Sequence, residues 1–346
     1  MFDVNEWLIG WKSWRCFSAV NQDCWLIMPD MRRLTVIVLL LLTGCASLRA
    51  TDKPVLRLHQ IHPFGATALA YNRDGGMLAT GGFFGEVRVW HMPEGAALLS
   101  LPGNHQAVRG IVWIDDSALV AATEDGVLRV WDLRTQQATR SITTEPLSAL
   151  FRIADTQNII VAQRNALLRM YAYPSLAKVA ERQLDASVRA IAVSRDGQTI
   201  AAATRDDQVL LLDAQLRIIK TLPPAPRDVL SLRFSPDGKQ LAAGTWFKLL
   251  IWDIATGQLT VRDTEHFGAI VSIDYTPDGK DLVSLGRISD SQLRLTDVAT
   301  GQVLSRMAPL PLCGWMVRVS PDGRYVAAGS ESGDVDVFDL VAPKTN

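Results

Sequence analysis

One pattern of apolar and polar positions recurs seven times along this chain. Leu128-Arg129-Val130-Trp131-Asp132 has counterparts at Val87–His91, Leu168–Ala172, Val209–Asp213, Leu249–Asp253, Leu293–Asp297 and Val335–Asp339. Each alternates apolar with other residues, the period of a strand that buries one face, and five of the seven end on Asp. The fourth residues fall at 90, 131, 171, 212, 252, 296 and 338, giving steps of 41, 40, 41, 40, 44 and 42. A period of about 40–45 residues marks a propeller built from four-stranded blades. The pattern therefore predicts an all-β, seven-bladed β-propeller.

Turn signals fall at the same spacing. Ser235-Pro236-Asp237-Gly238, Thr276-Pro277-Asp278-Gly279 and Ser320-Pro321-Asp322-Gly323 are joined by looser forms at Asn72–Gly75 and Ser194–Gly197. Pro presets φ, Asp bonds its own backbone, and Gly takes the positive φ of a tight hairpin. Residues 113–117 and 153–157 lack the signal but keep the spacing, so they read as drifted hairpins. Together, strand endings and turns resemble the WD-repeat family over roughly residues 55 to 340. That resemblance implies four-stranded antiparallel blades, with Val55–Ile61 completing the last blade and closing the ring. It also implies a buried polar tetrad in blade two, His105, Thr123, Asp125 and Trp131, in which Trp donates to the hydroxyl, the hydroxyl to His, and His to the carboxylate. Fragments remain elsewhere: Thr204 with Asp206, His266 with Asp290, and Ser330. Blade three is the weakest match, and the 44-residue step into blade six predicts a longer loop around Gly286–Ser291.

Ahead of the repeats stands a different pattern. Met31-Arg32-Arg33 precedes nine residues, Leu34–Leu42, of which eight are apolar, and then Thr43-Gly44-Cys45. A short positive start, an apolar run of about ten residues and a small-residue site form a secretory signal. The run is too short for an ordinary spanning helix of about twenty residues. Leu42-Thr43-Gly44-Cys45 resembles the lipobox of bacterial lipoproteins, which implies cleavage before Cys45 and acylation of that residue. Ala46, where an Asp would resemble an inner-membrane retention signal, points by analogy to the outer membrane of a Gram-negative cell. The competing reading is an uncleaved anchor with a chance Cys. The expected organisation is 1–30 an upstream extension from a misassigned start (or a cytoplasmic tail), 31–44 signal peptide, 45–54 lipidated tether and 55–341 propeller.

Composition narrows the function. With 346 residues, 48% hydrophobic content and a formal charge of −1, the chain is neither disordered nor strongly basic. No long basic run invites nucleic acid. Cys16, Cys24, Cys45 and Cys313 match neither a zinc site nor a disulfide framework, and Cys313 reads as a buried thiol. The loops at one end of the ring carry Glu124, Arg164, Arg205, Asp206, Asp207, Asp228 and Arg287. These are mixed charges without a repeated carboxylate or His ring, and no phosphate-binding glycine loop, nucleophile elbow or HExxH is present. The expectation is no enzyme, no metal and no cofactor. The same loops hold Phe83, Phe84, Trp246 and Phe247, with Trp315 near the channel mouth. Aromatics on loops are features of binding hot spots, so these five are candidates for a partner-binding face; the alternative is that they tuck into neighbouring blades. The reading is a monomeric periplasmic lipoprotein scaffold for envelope proteins. A propeller enzyme or small-ligand binder using the central channel is the alternative, and a cytoplasmic scaffold a third.

Overall fold

The second strand of each repeat is made of small and branched residues because it lies between two other sheets. Ala118–Thr123 is buried at every position, and Thr199–Thr204 at all but the first. Alanine at such positions lets adjacent sheets approach to interior packing density. The fourth strand does the reverse: Gln137–Thr143 is exposed at all positions but one, the outer edge of its blade.

The computed structural model of the protein describes residues 52–103, 105–153 and 156–341. There the chain forms seven four-stranded antiparallel sheets, the architecture expected from the repeat. The extension 1–30, the signal 31–44 and Cys45 lie outside the described residues. Six blades use four consecutive strands. The seventh takes Gly314–Val319, Tyr325–Ser330 and Val335–Asp339 and is completed by Leu56–Leu58, paired Leu56 to Val337 and Leu58 to Val335. Buried apolar residues gather into seven clusters, one per pair of neighbouring blades. The core is thus a ring of seams, and the seam between blades seven and one includes Leu58 beside Trp90, Val335 and Val337.

The turns behave as their chemistry requires. Ser235 Oγ donates to Asp237 at 2.6 Å, the same carboxylate accepts from Lys239 N, and Gly238 stands at φ +71°. Thr276 and Asp278 repeat the bond at 2.7 Å. The drifted turns are hairpins too: Asp115 accepts from both Ser117 N and Oγ, and Ile153 pairs with Asn158. The loop of blade six, residues 288–292 between its second and third strands, is longer than its counterparts and delivers Asp290.

Among the described residues the histidine network forms in blades one and six. In blade one Trp90 Nε1 donates to Thr80 Oγ1 at 3.0 Å, His62 Nε2 meets that hydroxyl at 2.7 Å, and His62 Nδ1 meets Glu86 at 2.7 Å. Blade six repeats it without the Trp: His266 joins Ser284 at 2.9 Å and Asp290 at 2.7 Å, while Thr296 takes the Trp position. Strand register explains the shift. Leu78 pairs with Trp90, and Thr80 lies two residues further along its strand. In blade two Leu119 pairs with Trp131, which puts Ala121 where the hydroxyl must stand. Thr123 instead ends the strand and donates to Asp125 at 2.7 Å, as Thr204 does to Asp206 at 2.5 Å. His62 and His266 precede Ala66 and Ile270 by four residues. His105 precedes the equivalent Val108 by three; its side chain is exposed and its φ is +65°. His105, Thr123, Asp125 and Trp131 therefore do not form the expected tetrad.

Two expected outcomes follow from closure and from the networks. Arg57 grips Asp336 with two bonds of 2.6 and 2.7 Å, and the Asp336 side chain is 1% exposed. Arg57→Ala leaves that carboxylate buried and unpaired, and urea unfolding should show a loss of about 3 kcal/mol. An unchanged midpoint would mean that the ring closes without the pair. His62 and His266 are both held below the ordinary 6.5, burial outweighing the pull of Glu86 and Asp290. The unfolded chain therefore binds more protons as pH falls through that value, and stability falls with it. Thermal melts from about pH 7.5 to about pH 5.5 should show a declining Tm. His62→Gln should start about 1–3 kcal/mol less stable and lose part of the slope; a Tm that rises on acidification contradicts a neutral-histidine network.

Candidate functional site

Connections from one blade to the next, and the loops between second and third strands, emerge on one face of the ring. The polar networks govern where their side chains go. His62 and His266 are wholly buried anchors in the entry segments of blades one and six. The residues that follow them, Phe64 and Phe267, are turned outward at 71% and 74% exposure. Neither was legible as a candidate from the repeat pattern; the available signal was an aromatic one or two positions after a network histidine.

Phe83, Phe84 and Phe247 also stand on this face, 36%, 38% and 39% exposed. Phe84 packs edge-on against Phe64 at 5.4 Å and against Phe83 at 5.9 Å. Trp246 and Phe247 are tilted neighbours at 5.9 Å, Phe247 at φ +70°. Trp246 is half-buried because its backbone bridges Ala269 at the start of blade six. Trp315 is half-buried as well. The Arg287 guanidinium lies 3.9 Å from its ring centroid while pairing with Glu331, and Gly65 leaves no room for a side chain beside its Nε1. Of the five expected aromatics, three are thus presented and two are wedged between blades. The presented rings lie on an arc over blades five, six and one.

The opposite half of the face, over blades two to four, is lined by arginines. Glu124 is clasped by both Arg109 and Arg164. Burial raises its carboxyl, but the two guanidiniums more than offset this and hold it below the ordinary range. Arg189 pairs with Asp228 at 2.9 Å. With Arg205, these arginines line a cavity of about 510 Å³ over blades two to five. The loop charges that looked mixed in sequence are paired in space, Glu124 and Asp228 with arginines and Asp206 with the Thr204 hydroxyl. Among the described residues, no three His, Cys, Asp or Glu side chains converge as cation ligands.

Known proteins match this architecture. The sequence profile described as the DDB1- and CUL4-associated factor 12 beta propeller matches residues 38–311. The chain is 25% identical over 312 residues to Periodic tryptophan protein 2 of Arabidopsis thaliana, covering 86% of this chain and 32% of that protein. It is 27% identical over 250 residues to the Serine-threonine kinase receptor-associated protein of Gallus gallus, covering 70% and 69%. It is 27% identical over 159 residues to COMPASS component SWD3 of Saccharomyces cerevisiae, covering 43% and 50%. The chain thus spans about a third of the first relative and half of the last. With its seven blades and its matched profile, the chain belongs to the WD-repeat propellers of the DDB1- and CUL4-associated factor 12 beta propeller family.

Proposed function

We propose that this protein is an interaction scaffold that presents the loop face of its propeller to other proteins. The observation that carries the reading is the arc of outward aromatics, Phe64, Phe83, Phe84, Phe247 and Phe267. Large apolar rings exposed on loops are paid for in solubility, and they dominate the energy of protein interfaces. Two relatives carry names that place them with other proteins, a kinase receptor-associated protein and a COMPASS component. The rigid blades beneath the arc hold its rings in fixed positions, which lowers the ordering cost of binding. Phe84→Ser with Phe247→Ser should leave the melting temperature unchanged and weaken a purified partner by about thirtyfold. Calorimetric titration checks the binding, and a variant that binds as wild type removes the arc from the interface.

The proposal extends to location. Met31–Leu42 followed by Leu42–Cys45 supports a lipoprotein of a Gram-negative envelope, with Cys45 acylated and the propeller on the periplasmic face of the outer membrane. Acyl chains add about 0.8 kcal/mol per buried CH₂, so more than one chain makes a stable anchor. The partners of such a scaffold are envelope proteins. Palmitate labelling should mark the wild type, and Cys45→Ala should lose both label and membrane fractionation. Unlabelled protein in the soluble fraction would return the chain to the cytoplasmic scaffolds.

A further inference from the structure

The inner strands of four blades each turn an arginine into the central channel. Arg109 and Arg189 are the second residues of Val108–Asp115 and Val188–Val193; Arg233 and Arg318 lie near the far ends of Ser231–Phe234 and Gly314–Val319. All four line a cavity of about 150 Å³. Their carboxylates are unevenly shared. Glu124 serves Arg109 and Arg164 together, Asp228 serves Arg189, and Asp274 serves Arg233 at 3.0 Å while also accepting from Val319 N. Arg318 is left with the carbonyl of its neighbour Val317 at 2.7 Å. Arg189 Nε is buried without a hydrogen-bond partner.

A half-buried cation on a narrow channel wall, with no carboxylate bonded to it, is costly, and it either sheds its proton or gathers an anion. Burial first, and then the like charge of Arg233, lower the Arg318 guanidinium to about 9, with Asp274 pulling the other way. That value leaves it charged at neutral pH, so deprotonation does not relieve the excess. Guanidinium forks match the oxygens of carboxylates and phosphates in pairs. Ser148 and Ser231 line the same wall, their hydroxyls donating to the carbonyls of Ala162 and Ile270.

We propose that the channel is a binding site for one small oxyanion, held by Arg318 and Arg233 with Arg189 above them. The group is a free inorganic oxyanion or a carboxylate borne by a partner's side chain, and the same chemistry recognises both. This site stands apart from the aromatic arc and does not depend on it.

The test is the melting temperature of the full chain with inorganic phosphate or hexaglutamate, against chloride at matched ionic strength. Phosphate at about a hundred times its Kd should raise Tm by about 5 °C. Arg318→Met should lose that response and melt higher than wild type in the low-anion buffer, its excess charge gone. Exposed Arg134→Met should keep the response. Should Arg318→Met fail to fold, Arg318→Lys retains the charge without the fork and should respond less. A hexaglutamate effect that also needs Arg318 assigns the oxyanion to a partner, and a phosphate effect alone assigns it to a free ion. No response in wild type, or equal responses in wild type and the Arg318 variant, overturns the site.

Discussion

The structure depends on the seams between blades. No blade has a core of its own: each sheet buries its two faces against its neighbours, and the seven apolar clusters each draw on two blades. Such a chain is stable only when the last seam is made, because an open ring would leave two sheet faces in water. Closure falls to Leu56–Leu58, three residues paired with the end of the chain. The bidentate Arg57–Asp336 pair fixes their register, and Asp52 extends the strap by a bridge to Met307 in blade six. A short strand suffices because it completes a sheet whose other three strands are consecutive.

The two histidine networks fall on either side of this closing blade, in blades one and six. In each, a neutral histidine can accept from the hydroxyl on one side and donate to the carboxylate on the other. Trp90 donates to Thr80, Thr80 to His62, and His62 to Glu86. In blade five, where Ala243 replaces the hydroxyl, Trp252 Nε1 donates instead to the Pro223 carbonyl at 3.0 Å. The buried indole is satisfied either way, as burial demands, but only the histidine version also pins the segment entering the blade. Phe64 and Phe267 are carried by those pinned segments.

What was legible in the sequence was local. A strand that buries one face alternates, and a hairpin with Pro, Asp and Gly announces itself within four residues, so the blades, their number and their closing strand could be read directly. The polar network could not, because it joins strands whose register depends on pairing far along the chain. Thr123 and Asp125 are two residues apart and bond each other, which imitates half of a tetrad. Thr80 and Glu86 are six residues apart and meet only through His62. A single residue separates the spacing of His105 to Val108 from that of His62 to Ala66, and it decides whether the ring is buried or exposed. The aromatics divided for a similar reason. Trp246 and Phe247 are neighbours, yet only one faces water, since the backbone bridge to Ala269 turns the other inward.

The repeat also explains where individuality can reside. Positions on the second and third strands answer to two neighbouring sheets at once and drift little in size: Ala121, Val161, Ala202, Ala243 and Ala328 occupy the same place in five blades. Residues of the loop face and the inner strand answer to one neighbour or to none. There the chain departs from its own pattern, with phenylalanines on the loops of blades one, five and six and arginines on the inner strands of blades two, four, five and seven. A fold that fixes seven nearly equivalent frames leaves charge and aromatic content at those positions free to vary blade by blade. The asymmetry of the face is therefore not demanded by packing, and the burial of Arg318 beside Arg233 is unfavourable to it. A charge arrangement that costs stability and serves no seam is expected where binding sets the sequence.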